Sequence, residues 1–286
     1  MKLSAAEIRR AVRAALAEDL GSGDVTTLAT VPRATTARAV LRAREPLVVA
    51  GLDFAKESFR QLAGQTRPVR LTRHMGDGQY AKAGAALLTI SGPARAILSA
   101  ERVALNFVQR LSGVATLTAQ FVAAVKGTRT RILDTRKTTP GWRRFEKYAV
   151  ACGGGHNHRF GLFDLMLIKD NHLAALRTEK PNAIAAAVRR AREKFPRLKI
   201  EVEADTLKQA EQAADAGADI ILLDNMSPGQ LRRAIKLVRG RAKTEASGGV
   251  NLKNVRAIAR TGVDYISIGA LTHSAPAVDV GLDFQA

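Results

Sequence analysis

The pattern of apolar and polar residues changes near residue 112 and divides the chain into two parts. In the first part, short alternating stretches are separated by glycine turns such as 76–78, which is typical of antiparallel strands. Ser4 followed by Glu7 predicts a capping box at the start of an amphipathic helix. The predicted elements are helices at 4–19, 52–62 and 94–111 and strands at 36–41, 69–71 and 87–90. This part is therefore predicted to be an α+β domain.

Beyond residue 112, apolar strands alternate with amphipathic helices. The predicted strands are 131–133, 165–168, 199–202, 220–223, 243–245 and 265–268. The predicted helices are 112–125, 182–194, 206–216, 228–238 and 252–260. Such alternation is typical of parallel βα units. The sequence therefore predicts an α/β second part built on a parallel sheet.

Polar or ionisable residues follow each of the six predicted parallel strands. They are Asp134 to Lys137, Lys169 to His172, Glu203, Asp224 with Asn225, Ser247 to Gly249, and Gly269 to His273. The carboxyl ends of parallel strands meet at one mouth of a barrel, where barrel enzymes carry their active sites. A structural role explains any one of these groups but hardly all six, so we expect a functional site at this end.

The first of these groups opens a long basic and glycine-rich stretch, 134–159. Its charged and flexible residues are Arg136, Lys137, Arg143, Arg144, Lys147, Gly153 to Gly155, His156, His158 and Arg159. Cations and glycines at this density predict a pocket loop for a strongly anionic ligand. The alternative is a solvated basic loop, which needs neither the glycine triplet nor the histidines.

Composition narrows the class of protein. Hydrophobic residues make up 46% and charged residues 25% of 286 residues, a globular balance in a chain long enough for two domains. The single cysteine, Cys152, excludes an internal disulfide and favours a reducing compartment. The chain has neither a signal-peptide pattern nor an apolar stretch of the ~18 residues that a membrane helix needs. A soluble, cytoplasmic protein is expected.

The formal net charge of +19 introduces a second functional hypothesis, a nucleic-acid-binding protein. The cations are dispersed along the chain, however, and aromatic residues amount to only 5%, too few to suggest a platform for stacking bases. We interpret the charge as partly an arginine-rich surface and partly a means of steering a small anionic substrate.

Two of the strand-end groups suggest ligands of different chemistry. Ser247 to Gly249, with Gly269 after the next strand, is typical of a phosphate cradle, although a plain tight turn needs the same glycines. Glu203 and Asp224 end neighbouring strands and could form an acid/base pair, hold Mg²⁺ or bind a ribose diol. Their alternative is a pair of salt bridges to Lys137 and Lys169, whose charges should keep both carboxylates ionised.

The histidines and the absent motifs limit the chemistry further. The spacing of three histidines, His156, His158 and His172, matches no compact zinc pattern, and nearby cations would repel a metal ion. Hydrogen bonding to anions fits these histidines better than metal binding. The sequence has no nucleophile elbow, P-loop or dinucleotide fingerprint. The remaining class is group transfer from a polyphosphorylated substrate, carried by positioning and electrostatics.

Several segments together resemble the quinolinate phosphoribosyltransferase family, the carboxylating nicotinate-nucleotide pyrophosphorylases. The segments that carry the resemblance are 18–27, 99–106, 134–138, 146–150, 153–159, 167–172, 201–203, 223–225, 245–249 and 269–274. They cover nearly the whole chain in the family's order. The resemblance implies an N-terminal α/β sandwich domain, 1–111 completed by 275–286, and a barrel-like α/β domain, 112–274. It also implies a homodimer or a multiple of dimers.

The resemblance implies that the chain transfers phosphoribose from phosphoribosyl pyrophosphate to quinolinate, giving nicotinate mononucleotide, pyrophosphate and CO₂ in de novo NAD synthesis. A related transferase with another anionic acceptor is the nearest alternative. The implied quinolinate ligands are Arg136, His158, Arg159 and Lys169, with Arg102 from the neighbouring subunit. Arg102 would otherwise pass for an ordinary helix-surface residue.

The remaining implied roles concern the donor. Lys137 would lie between quinolinate and the pyrophosphate. Glu203 and Asp224 would face the ribose hydroxyls and Mg²⁺, with or without binding the ion directly. The region of the 5′-phosphate would be held by Ser247, Gly248, Gly249, Gly269 and His273.

Overall fold

The computed structural model describes residues 1–63 and 68–285, which form two compact units. The first unit comprises Met1–Ala119, Arg144–Gly154 and the C-terminal segment that starts at Ser274. The second comprises Gln120–Arg143 and Gly155–His273. This division differs from the predicted ranges in three places: the boundary lies at 119/120, not 111/112, residues 144–154 return to the first unit, and the C-terminal segment starts at Ser274, not at residue 275.

The first unit contains mostly antiparallel strands with helices before, between and after them. Its elements are α1 (Ala5–Leu20), α2 (Val25–Thr30), β1 (Thr36–Ala43), β2 (Leu47–Val48), α3 (Leu52–Ala63), β3 (Arg70–Arg73), β4 (Tyr80–Ala81), β5 (Ala86–Pro93), α4 (Ala94–Ala124), most of α5 (Arg143–Cys152) and β12 (Val280–Gln285).

The first unit contains a four-stranded antiparallel sheet with the order β12-β1-β5-β3. In its register, Leu41 lies opposite Leu282 on one side and Leu88 on the other. Alternation directs Leu41 and Leu88 into a core that also contains Phe59 of α3 and Ile97 of α4. The C-terminal strand β12 completes the edge of this sheet beside β1, so the last residues belong to the first unit.

The N-terminal helix confirms the predicted capping box. Ser4 accepts a hydrogen bond at its side chain from the Glu7 backbone N–H (3.2 Å), and the Glu7 carboxylate accepts one from the Ser4 backbone N–H (2.8 Å). Both bonds satisfy amides that the first turn leaves without helical partners. Ile8, Val12 and Leu16, one helical face, are buried.

A single helix of 31 residues, α4, replaces the two helices that the sequence predicts on either side of residue 111. Ser112 and Gly113, which suggest a break, are packing residues instead. Ser112 bonds through its hydroxyl to both the N–H and the C=O of Ala50. A Cβ atom at Gly113 would lie 2.0 Å from the carbonyl oxygen of Pro276, so glycine is what allows that segment to approach the helix.

Helix α5 corrects the interpretation of 134–159 as one pocket loop. Residues 143–152 are helical, and Glu146 and Lys147 are fully buried. Glu146 forms an ion pair with Arg110 at 2.8 Å, and Arg144 pairs with Glu7. The cations at 144 and 147 therefore belong to the first unit and stabilise its structure. Only the two ends of the stretch, 134–143 and 155–159, remain in the second unit.

The second unit is a parallel α/β structure, as predicted. Its elements are β6 (Arg131–Leu133), β7 (Met166–Ile168), α6 (Asp170–Ala174), α7 (Ala183–Lys194), β8 (Ile200–Ala204), α8 (Leu207–Asp215), β9 (Ile220–Asp224), α9 (Pro228–Val238), β10 (Lys243–Ser247), α10 (Val255–Ala259), β11 (Tyr265–Ser267) and α11 (Ala270–His273).

The six strands form one parallel sheet with the order β6-β11-β10-β9-β8-β7. Glu203 lies opposite Leu222, which in turn lies opposite Glu245, and Asp224 lies opposite Ser247. Residues opposite each other share a face, and so do residues two apart on one strand. Hence Glu201 and Glu203 of β8, Asp224 of β9 and Glu245 of β10 all belong to the same face of the sheet.

No helix among residues 1–63 and 68–285 has the length and hydropathy to cross a membrane. The helices of the second unit are instead amphipathic, with polar caps. Ser227 caps α9 and Thr206 caps α8, each in a reciprocal capping box with the glutamine three residues later. These caps fix where the loops that follow β8 and β9 end.

We predict that Gly113→Ala lowers the free energy of unfolding by on the order of 2 kcal/mol, because the added methyl overlaps the Pro276 carbonyl. Gly229→Ala is the matched control. It also lies in a helix, and its Cβ would meet nothing closer than 4.0 Å, so alanine should stabilise by up to about 1 kcal/mol. Urea denaturation of both variants measures the difference; equal effects would contradict the packing role of Gly113.

Candidate active site

A cavity of about 740 Å³ opens at the carboxyl ends of the parallel strands in the second unit. Every one of the six strands contributes a residue or the loop that follows it. Around the sheet, β6 contributes Arg136 and Lys137, β11 Gly269 and His273, β10 Ser247 to Gly249, β9 Asp224, β8 Glu203 and β7 Lys169. The predicted convergence of strand ends is thus found in the structure, and the volume suits a ligand larger than a single phosphate.

Cationic side chains enter the cavity from β6, β7 and the segment before β7. Arg159 has its pKa lowered by burial and by the neighbouring charge of Arg136, while Glu201 acts in the opposite direction. Nε of Arg136 is buried and lacks a hydrogen-bond partner among the described residues. Two guanidinium groups that repel each other in a half-buried site favour a bound anion, since its charge would relieve both.

Lys169 reaches one of the two strand-end carboxylates. Its Nζ lies 2.5 Å from Oε2 of Glu203, an ion pair in which the lysine side chain is 44% exposed. The salt bridge to Lys169 that the sequence suggested for Glu203 is therefore present in the structure. Because the lysine remains accessible, an arriving anion can share it at little cost.

The pKa of Asp224 is raised, whereas the sequence suggested that Lys137 and Lys169 would keep this carboxylate ionised. Burial raises the pKa of Asp224, and the charges of Glu203 and Asp205 raise it further, against the opposing effects of Lys169 and Lys137. Its carboxylate accepts a hydrogen bond from Asn225 Nδ2 at 2.6 Å. A carboxylate in this condition is stabilised by a cation or by hydroxyl donors, because either favours the ionised form.

The glycine loop after β10 requires glycine at its first position. Gly248 has φ +91°, and a Cβ atom there would lie 2.1 Å from Oδ1 of Asn225. Gly249 has φ +61° and open space around it. The helix predicted at 252–260 begins only at Val255, so it does not follow the glycine loop directly. The helix N-terminus beside the cavity is that of α11, which begins immediately after Gly269.

Lys137 links the two sides of the cavity. Its backbone carbonyl accepts a hydrogen bond from Thr272 Oγ1 of α11 at 2.7 Å. A Cβ atom at Gly269 would lie 3.0 Å from Cδ of Lys137 and 3.1 Å from the ring of His273. The close approach at Gly269 thus brings the lysine stem and the imidazole to the same point above β11.

His158 is anchored by Asp134 after β6, Glu201 of β8 and Glu245 of β10. Asp134, fully buried after β6, accepts hydrogen bonds from the His158 backbone N–H (2.9 Å) and from Asn157 Nδ2 (2.6 Å). Nε2 of His158 lies 3.0 Å from Oε2 of Glu201 and 3.5 Å from Oε1 of Glu245. These three side chains offer ligand-type atoms within 4.8 Å of one another.

Glu201 and Glu245 are the site residues that sequence reasoning missed. Both are fully buried, and burial together with the charge of Glu201 raises the pKa of Glu245 to about 8. A signal was present: both glutamates lie inside predicted strands of a parallel sheet, whose strands are covered on both faces, and a fully buried glutamate is rare. The strand-end residues drew attention because they are exposed to the cavity, whereas these lie one step deeper.

The structure leaves some of the predicted groups outside the cavity. Arg102 is an exposed residue of α4 in the first unit, and the cavity lining of the second unit does not include it. His156 pairs with Leu133 through backbone bonds beside β6, and His172 accepts from the Lys169 backbone N–H within the turn that starts α6. Arg143 donates to Thr138 and to the carbonyl of Phe160. The two histidines and Arg143 shape the loops around the site.

Comparison with known proteins identifies the family and its fold. The N-terminal domain model of quinolinate phosphoribosyl transferase matches residues 24–112, and the C-terminal domain model matches residues 114–283. The chain belongs to the quinolinate phosphoribosyl transferase family. The segments that resembled this family in sequence therefore carry its two domain types, in the same order.

Relatives of this family match over nearly their whole length. A nicotinate-nucleotide pyrophosphorylase [carboxylating] of Mycobacterium leprae is 44% identical over 96% of each chain. A probable enzyme of the same name from Bacillus subtilis is 43% identical, covering 93% of this chain and 89% of its own. The solved nicotinate-nucleotide pyrophosphorylase of Francisella tularensis superposes with a TM-score of 0.92 at 40% identity, covering 99% and 98%.

The pKa of Glu245 generates a prediction for stability. A carboxyl whose pKa is raised from 4.5 to about 8 binds its proton more tightly in the folded state. Its contribution to stability is complete below pH ~4.5 and is lost as the pH rises through ~8. Glu245→Gln keeps the shape without the titration. Urea denaturation should show that the free energy of unfolding falls less in the variant than in the wild type between pH ~5.5 and ~8.5; parallel pH profiles would contradict the assignment.

Proposed function

We propose that this chain transfers the phosphoribosyl group of phosphoribosyl pyrophosphate to quinolinate, giving nicotinate mononucleotide, pyrophosphate and CO₂ in NAD biosynthesis. The observation that carries the proposal is the charge order around one cavity. Guanidinium and ammonium groups follow β6 and β7, carboxylates end β8 and β9, and glycine loops follow β10 and β11. A dicarboxylate acceptor and a phosphorylated sugar donor need these three surfaces side by side.

The acceptor end is supported by Arg136, Arg159 and Lys169. Two of them repel each other and the third is shared with Glu203, so each gains from a carboxylate of quinolinate. With both carboxylates held, the ring nitrogen can be kept facing the anomeric carbon of the donor. Such positioning can supply a large part of the rate enhancement of a transfer between two bound substrates.

The donor end is supported by the glycine loops and the two carboxylates. Ser247 to Gly249 and Gly269 with His273 offer backbone N–H groups and an imidazole to the 5′-phosphate. Glu203 and Asp224 face the ribose hydroxyls. Lys137, whose stem packs at Gly269, lies where it would neutralise pyrophosphate as it departs.

Magnesium fits the same donor end. Glu203 and Asp224 provide hard carboxylate oxygens, and the raised pKa of Asp224 shows that its ionised form lacks sufficient compensation from the protein alone. These two residues would hold Mg²⁺ directly or through oxygens of the donor. The ion would neutralise pyrophosphate charge, and side chains of the protein would make the remaining contacts with the two substrates.

In the reaction, the ring nitrogen of quinolinate bonds to the anomeric carbon while the bond to pyrophosphate breaks and its electron pair leaves with the pyrophosphate. Glu203 and Asp224 offset the positive charge that builds on the ribose. The resulting pyridinium withdraws electrons, so the bond to the 2-carboxylate breaks with release of CO₂. The electron pair left on the ring carbon takes up a proton from water.

Purified protein with quinolinate, phosphoribosyl pyrophosphate and Mg²⁺ should release CO₂ and nicotinate mononucleotide in equal amounts, and chelation of Mg²⁺ should abolish both. Nicotinate is the matched alternative acceptor. It lacks the 2-carboxylate and so loses one set of cation contacts, so turnover should drop by at least about a hundredfold. Absence of both products with quinolinate would refute the proposal, and equal use of nicotinate would point to another acceptor class.

We further propose that Arg102 completes the acceptor end of the site of a second copy of the chain in a homodimer. The support is the family membership together with an exposed guanidinium on α4 that the cavity in its own chain does not use. Cytoplasmic location likewise stays a prediction, supported by the single cysteine, Cys152.

Mixing Arg102→Ala with Lys169→Ala tests the shared site. Each variant alone should lose most activity, whereas hybrid dimers should regain up to about a quarter to a half of it because one of their two sites is intact. Activity is measured after co-refolding and compared with each variant refolded alone. Lack of recovery, with dimers verified by light scattering, would argue that Arg102 does not act across an interface.

A further inference from the structure

The His158 ring faces a protein group at each of its two nitrogens. The Arg159 backbone N lies 2.7 Å from Nδ1. A backbone amide can only donate, so Nδ1 accepts this bond and carries no proton. The proton of the neutral ring must then be on Nε2, which lies 3.0 Å from Glu201 and 3.5 Å from Glu245.

The two glutamates reach His158 from below the cavity. Glu201 and Glu245 are fully buried, and none of their side-chain oxygens has a well-aligned hydrogen-bond partner among the described residues. Burying two carboxylates without such partners costs stability. Nε2 of His158 lies within 3.5 Å of an oxygen of each carboxylate, and the hydroxyl of Ser267 acts on Glu245 as well.

Arg159 contacts the His158 ring on the side opposite the glutamates, at Nδ1. Its backbone is tied to His158 Nδ1, and its guanidinium donates to the carbonyl of Leu165 at 3.3 Å. The backbone of His158 is itself fixed by Asp134. If the ring turned over, Nδ1 would leave the amide of Arg159, and the guanidinium would lose one of the supports that aim it into the cavity.

We propose that Glu201 and Glu245 are positioning residues: they hold His158 with its proton on Nε2, so that Nδ1 fixes the backbone of Arg159 and thereby places its guanidinium for the dicarboxylate acceptor. In this arrangement His158 acts mainly through Arg159. The inference deepens the proposed function and depends on it for the identity of the acceptor, but not for the state of the ring.

The state of the ring can be read in the wild-type protein without activity. With ¹⁵N-labelled histidine at neutral pH, the long-range proton–nitrogen spectrum should show His158 as a neutral ring protonated on Nε2. A His158→Asn sample identifies which of the five histidine patterns disappears. A ring protonated on Nδ1 or on both nitrogens would overturn the proposal, as would one equivalent of a bound transition metal in the purified protein.

Two isosteric variants test the positioning role. Glu201→Gln and Glu245→Gln keep the volume but change what faces Nε2, so the KM for quinolinate should rise roughly tenfold while the KM for phosphoribosyl pyrophosphate changes less than about twofold. Because a glutamine can offer its carbonyl to Nε2, the Nε2-protonated pattern should weaken rather than vanish. An unchanged quinolinate KM, or an equal rise for both substrates, would overturn the proposal.

Asp264→Asn is the matched control, since it changes a carboxylate at the opposite end of the same sheet. Asp264 accepts from the Thr244 backbone N–H and from Lys243, each at 3.0 Å. Its loss should lower Tm without altering either KM or the His158 spectrum. If the wild type itself forms no product from quinolinate, the proposed function fails, whereas the spectrum still decides whether His158 is held as described.

Discussion

The register of the parallel sheet in the second unit is the constraint on which the site depends. Parallel pairing aligns Glu203 with Leu222 and Glu245, and Asp224 with Ser247. Side chains two apart share this face, and burial divides them into two levels. Glu203, Asp224 and Ser247 are partly exposed and form the outer level, whereas Glu201 and Glu245 are fully buried and form the inner level. A shift of one residue in any strand would turn these groups to the opposite face.

The two levels perform different electrostatic tasks. At the outer level, like charges lie close together: Asp224 beside Glu203, and Arg159 beside Arg136. A substrate that brings anionic carboxylates to the guanidinium groups and hydroxyls or a metal ion to the carboxylates relieves both repulsions. At the inner level, the two buried glutamates face Nε2 of His158, within 3.5 Å of it. The inner level therefore keeps its geometry while the outer level exchanges partners, which is what a preorganised site requires.

Much of this architecture could be predicted from alternation and strand-end chemistry. The six parallel strands, the capping box of α1 and the convergence of Lys137, Lys169, Glu203, Asp224 and Gly248 follow from local patterns. The assignment of residues 144–154 to the other unit could not be predicted, because the buried ion pair of Glu146 with Arg110 joins positions 36 residues apart. The helix through Ser112 and Gly113 was missed for a similar reason: contacts with Ala50 and Pro276 override their weak helix propensity.

The net charge of +19 gains a physical interpretation from the second unit. Between Asp224 and Asp264, the sole acidic residue is Glu245, which is buried, whereas arginines and lysines such as Arg232, Arg233 and Lys236 are exposed on α9. Both proposed substrates are multiply anionic and must reach a cavity that already contains carboxylates. A positive field over the surrounding surface raises the local substrate concentration without adding contacts inside the site. Because such a field is screened within about 8 Å at physiological salt, it can favour encounter while the charges within the cavity determine which anion remains bound.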